Sequence, residues 1–208
     1  MKRFQAFSLA EVMIAMTVIG VVAALVVPTH FSGATTKAYK SLFKTTFAQI
    51  QQGLVTATNV NKHPFVNASS TNTLPNDAKY TVDRFMQHHF GAKLVTRNAP
   101  KDEIPEAQVT NGKTFVMKNG AHIVFTKDSL ANMDATGCTN LKPCIAYIDV
   151  NGNKGPNSII TCTTGTVSTT ITDPCTITSD AVKDIFPVVI KMDRIYPQTN
   201  AANFILSN

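Results

Sequence analysis

The chain has 208 residues and a formal charge of +6, with 44% hydrophobic and only 15% charged residues. Charge this sparse, against roughly 25% in an average soluble domain, excludes a charge-rich disordered chain. Ten Gly and ten Pro exclude a collagen-like repeat, and no period of roughly 20–50 residues marks a solenoid.

The N-terminus reads MKRFQAFSLAEVMIAMTVIGVVAALVVP. Lys2 and Arg3 come first, Glu11 follows, sixteen uncharged residues run from Val12 to Val27, and Pro28 closes the run. Three readings compete. A secretory signal has a basic start, an apolar core and then small residues such as Ser32, Gly33 and Ala34, but Glu11 at the edge of that core serves it nothing. A plain anchor needs about 20 apolar residues. Phe7 to Val27 supplies them only if Glu11 enters the membrane, at about 2.5–3.5 kcal/mol. An acid there needs a cationic partner, and none lies within helical reach on its C-terminal side; otherwise it must snorkel to the interface.

The third reading supplies the partner. The residues FSLAEVMIAMTVIGVVAALVVP resemble the N-terminus of type IV pilins and of the pseudopilins of type II secretion. The resemblance implies that prepilin peptidase cuts between Ala6 and Phe7 and that Phe7 becomes an N-methylated terminus. Glu11 falls at the family's acidic position, and Pro28 where many pilins carry a helix-kinking proline. Ala6 stands where Gly is usual, and Ala10 where Ile is common. As the resemblance implies, the subunit waits as a single-pass protein of the cytoplasmic membrane, then enters an extracellular pilus or a periplasmic pseudopilus. Glu11 of one subunit would meet the Phe7 amine of a neighbour. The implied partners are other pilins in a homo- or hetero-oligomeric filament, the prepilin peptidase, the inner-membrane assembly platform and the lipid bilayer. Lys2 and Arg3 keep the leader cytoplasmic, and Ala15, Gly20, Ala23 and Ala24 allow close helix approach.

Pro28 lacks an N–H and Gly33 weakens helix, so a bend or an unwound stretch is expected at 28–33. From Ala34 to about Val60 the pattern is helical, with Ala38, Tyr39, Leu42, Phe43, Thr46, Phe47, Ile50, Leu54 and Ala57 on one side. Lys37, Lys40, Lys44, Gln51 and Gln52 are expected to face away. Residues 59–76 read as loop and Thr81–Phe90 as a short helix. KTFVMK and AHIVFTKD flank Asn119-Gly120, a strong hairpin signal. CIAYIDV adds a third strand, and Phe186–Met192 with Arg194–Tyr196 a last hairpin around Asp193. The resulting fold class is α+β: a long N-terminal helix, apolar then amphipathic, packed on a C-terminal antiparallel sheet in a pilin-like arrangement. The expected division is a leader at 1–6, an apolar transmembrane and assembly helix at 7–30, an amphipathic spine helix at 31–60 and a head at 61–208.

Cys138, Cys144, Cys162 and Cys175 have neither redox CxxC nor zinc spacing. Behind an export-type segment they read as two disulfides. Three pairings are open, and Cys138–Cys144 with Cys162–Cys175 is favoured because each closes a short loop. The Thr- and Ser-rich stretch from Thr161 to Ser179 reads as a disulfide-closed surface excursion, with an adhesive tip as its functional alternative.

Asp149, Asn151 and Asn153 place oxygens at alternate positions, as calcium loops do. Gly155 is one place late for an EF-hand, so an Asn/Gly-stabilised turn competes with a calcium ion; Asp180 or Asp184 would have to complete a shell. The His residues lack catalytic spacing, and no GxSxG, P-loop or GxGxxG is present. The expectation is a structural subunit of a pilus or pseudopilus, not an enzyme and without a cofactor unless calcium binds. The alternative is a minor pilin or competence pseudopilin whose head binds DNA or a surface, for which Lys37, Lys40 and Lys44 are the hint.

Overall fold

The computed structural model describes residues 8–61, 82–96, 104, 112–136, 138–152, 154–191 and 193–208; within 23–34, 58–61 and 132–136 it describes the backbone alone. The leader and most of the 59–76 loop lie outside the described residues.

Helix α1 (Leu9–Asn61) has 53 residues, a length of about 80 Å at 1.5 Å per residue. Its backbone runs through 28–33 without interruption, which corrects the expectation of an unwound stretch there. A proline removes one intrahelical hydrogen bond, and the turns on either side remain able to form theirs. The C-terminal half of α1 is amphipathic as its spacing demands. Phe43, Thr46, Ile50, Leu54 and Ala57 are buried, and Tyr39, Leu42 and Phe47 are half-buried. Two positions depart. Ala38 is exposed while Thr36 is buried, and Gln51 does not face away. Its Nε2 donates to the Asp193 carbonyl at 3.2 Å, and its Oε1 accepts from the Ile195 N–H at 3.0 Å.

Six strands follow: β1 (Lys93–Val95), β2 (Lys113–Val116), β3 (His122–Phe125), β4 (Cys144–Asp149), β5 (Ile185–Lys191) and β6 (Arg194–Pro197). They form one sheet in sequence order, each antiparallel to the next. In the β2–β3 turn the Gly120 N–H donates to the Met117 carbonyl at 3.0 Å, and Gly120 adopts φ 86°, the left-handed conformation glycine accepts without penalty. Strand alternation sorts the side chains. Ile123 and Phe125, Cys144, Ala146 and Ile148, and Phe186, Val188 and Ile190 join the α1 residues in the main core. The intervening Val124 and Ile185, with half-buried Tyr147, build a smaller cluster around Ile104. Phe43 stacks on Phe186 with ring centroids 4.0 Å apart, which ties the spine helix to the middle of the sheet.

Three further helices complete the described structure: α2 (Val82–Phe90), α3 (Lys127–Thr136) and α4 (Asn200–Ser207). Buried Ser129 on α3 takes the place of a strand neighbour for Ile145. Its Oγ accepts from the Ile145 N–H and donates to the Ile145 carbonyl, both at 2.6 Å. Cys138 is joined to Cys144 and Cys162 to Cys175, with Cα separations of 5.2 and 5.4 Å. The second bridge closes the Thr-rich segment. Asn200, almost wholly buried, clips that segment to α4: its Oδ1 accepts from the Ser168 N–H and its Nδ2 donates to the Thr166 carbonyl, both at 2.9 Å.

Candidate assembly site

The first turn of α1 closes with a reciprocal cap. The Ser8 N–H donates to Glu11 Oε2 at 2.8 Å and the Ser8 hydroxyl donates to the same oxygen at 2.9 Å. The Glu11 N–H donates to Ser8 Oγ at 3.3 Å. This is a capping box, S-x-x-E, in which side chain and backbone satisfy each other's open donors. Sequence reasoning singled out Glu11 and missed Ser8, although the three-residue spacing was there to find it.

From Leu9 to residue 22 the described side chains of α1 are all exposed. Leu9, Met13, Ile14, Met16 and Ile19 are each more than 60% exposed. Side chains of this size leave a long apolar surface around one carboxylate, and such a surface marks an interaction site. Among the described residues no helix is long and apolar enough to cross a membrane. The side chains described in this part of α1 end at residue 22, short of the about 20 apolar residues a span requires; the sequence remains uncharged to Val27. Ala6 and Phe7 lie outside the described residues, and so does the side chain of Pro28.

The Asp149 loop is organised by its own backbone. Asp149 is fully buried, and its Oδ1 accepts from the Asn151 N–H at 3.1 Å, the geometry of an Asx turn. Asn151 Nδ2 donates to the Gly155 carbonyl and to the Tyr39 hydroxyl of α1, both at 3.1 Å. Asp184, also fully buried, accepts from Asn157 N–H and Ser158 N–H at 2.8 Å each. Its carboxylate is engaged in holding that loop rather than open toward Asp149. Asn153 lies outside the described residues. Among the described residues no three His, Cys, Asp or Glu side chains gather as metal ligands do. Asp180 is exposed at the chain surface, where the Thr178 hydroxyl and its own backbone N–H hold its carboxyl below the usual range.

The start of α1, capped by Ser8 and Glu11, presents exposed apolar side chains through residue 22, whereas its C-terminal half is packed on the α+β head. Residues 1–27 match the prokaryotic N-terminal methylation motif, the prepilin-type signal of type IV pilins and pseudopilins. That motif supports a type IV pilin-like or pseudopilin subunit. No curated protein and no solved structure matches the chain.

Proposed function

We propose that this chain is a filament subunit cleaved between Ala6 and Phe7, N-methylated at Phe7 and polymerised through the apolar half of α1. The observation that carries the reading is the exposed apolar surface of α1 around the single acid Glu11, in a segment with the methylation motif. Before assembly that surface rests in the cytoplasmic membrane; afterwards it packs against copies of itself or other pilins. The Glu11 carboxylate pairs with the ammonium of a neighbour's Phe7 and accepts a hydrogen bond from its N–H. An unmatched acid in an apolar bundle is strongly disfavoured, whereas a matched pair about breaks even. The pair therefore sets register more than it adds strength. Pro28 sits where the apolar half of α1 ends and removes one hydrogen bond there, which makes it a place where the continuous helix can bend. The boundaries at 6, 30 and 60 separate leader, assembly helix, spine and head. The Asp149 loop is a turn first; Asn151 Oδ1, buried without a hydrogen-bond partner among the described residues, is the oxygen a calcium ion would satisfy.

Mass spectrometry of the N-terminal peptide from membrane and sheared surface fractions tests the reading. A peptide beginning at methylated Phe7, with Glu11→Leu lowering the sheared fraction about tenfold at unchanged membrane level, is expected. An N-terminus near Thr35 would overturn it.

A further inference from the structure

We propose that the cleft between α1, α2 and the β2–β3 turn binds an acidic sugar of the uronic-acid class. The cleft has a volume of about 820 Å³, inside the span of roughly 300–1,000 Å³ typical of small-molecule sites. Helix α1 lends Gln49 and Gln52, α2 lends Gln87, His88, His89 and Phe90, and the turn lends Lys118. Among the described residues no carboxylate lines it. One ammonium and two imidazoles without an opposing acid favour an anion.

The remaining chemistry narrows the anion. Gln49, Gln52 and Gln87 are exposed, and among the described residues no hydrogen bond engages their side-chain amides. Each amide offers two donors and an acceptor, which suits a ring carrying several hydroxyls. The half-buried rings of His89 and Phe90 supply flat apolar faces for the C–H side of such a ring. A nucleic-acid backbone would need a track of cations; among the described residues the cleft is lined by a single lysine.

The walls are set before any ligand arrives. A side chain at position 53 would collide with the Phe90 ring, so Gly53 is what lets α2 close onto α1. Gly91 likewise leaves room for the stem of Lys118. Asn119, also on the wall, is already engaged: its Nδ2 donates to Thr46 Oγ1 at 2.9 Å and its Oδ1 accepts from the Ala121 N–H at 3.1 Å, which fixes the turn. Burial, and then the neighbouring His88 charge, hold the His89 imidazole below its usual range. An anion between the rings offsets that repulsion, so affinity rises as pH falls.

The test titrates the full chain in detergent micelles with trigalacturonate, using neutral galactotriose, inorganic phosphate and a short DNA duplex as comparison probes. Trigalacturonate is expected to bind, several-fold more tightly at pH 5.5 than at pH 7.5, with galactotriose at least about tenfold weaker. The variant Lys118→Gln/His88→Gln changes two exposed side chains, so its melting temperature is expected to hold while trigalacturonate affinity falls about tenfold. Gln52→Ala/Gln87→Ala is expected to weaken trigalacturonate and leave phosphate unchanged. No trigalacturonate binding at millimolar concentration, an unchanged affinity in the Lys118/His88 variant, or phosphate or DNA binding as tightly as the sugar would overturn the proposal. None of these outcomes depends on the filament reading.

Discussion

Asp184 carries more of the head than its position in sequence suggests. Its carboxylate holds two consecutive backbone N–H groups of the 149–158 loop, and its own carbonyl accepts from the Val150 N–H at 3.0 Å. Asp184→Ala leaves those two donors without their acceptor in the interior and is expected to cost about 3 kcal/mol, read from urea unfolding; a loss under 1 kcal/mol would mean that water replaces the carboxylate. A second residue gives stability a pH dependence. His89 is held below the ordinary imidazole range by burial and by His88. The unfolded chain therefore binds a proton there first, and the folded state loses stability as pH falls below about 6.5. Melting temperatures at pH 7.5 and 5.5 should show the drop, and His89→Gln should make it shallower. Sequence periodicity could not find either effect, because both depend on groups brought together by the fold.

At the scale of elements, strong periodicity was legible and weak periodicity was not. Helix α1, the β2–β3 hairpin around Asn119-Gly120, β4 and the β5–β6 hairpin follow from apolar spacing and turn residues. Strand β1 has only three residues, too few to show alternation. Helix α3, KDSLANMDAT, has little apolar asymmetry, and its place comes from Ser129, whose hydroxyl bonds the Ile145 backbone of β4. Helix α4 carried a readable start, since Thr199 caps it by accepting from the Ala202 N–H at 3.3 Å. Gln51 looked solvent-facing because polarity alone does not say what an amide meets. It holds the β5–β6 turn to α1 at two points, so Gln51→Ala is expected to cost about 1–2 kcal/mol. Hydrogen exchange at the Ile195 amide should quicken in that variant by more than at Val188; equal changes at both sites would refute a local clamp.

For the whole molecule, the candidate assembly residues were more legible than the head. Glu11 stands out as a lone acid in an uncharged run, a contrast visible in one dimension. Nothing in one dimension brings Gln52, His88 and Lys118 to a single cleft, because that requires α1, α2 and the β2–β3 turn to converge. The two disulfides close short loops, of 6 and 13 residues in sequence separation, so chain-entropy arguments give each about 2–3 kcal/mol. Cys138 and Cys144 are fully buried, whereas Cys162 and Cys175 are half-buried. Mild reductant is expected to open Cys162–Cys175 first, freeing the Thr-rich segment to protease while the sheet stays folded. Peptide mapping with a thiol label would show the order, and simultaneous labelling of all four would contradict it.

The clamp at Gln51 also makes the two margins of the sheet unlike each other. On β6 the outward N–H of Ile195 is occupied by a side chain of α1, so a foreign strand finds that donor already taken. On β1 the margin is three residues long, with Leu94 57% exposed. Exposed strand edges are where unrelated chains add on. The two margins therefore resist strand addition by different means: β6 has its Ile195 donor held by the C-terminal half of α1, and β1 is kept short and carries the charged Lys93.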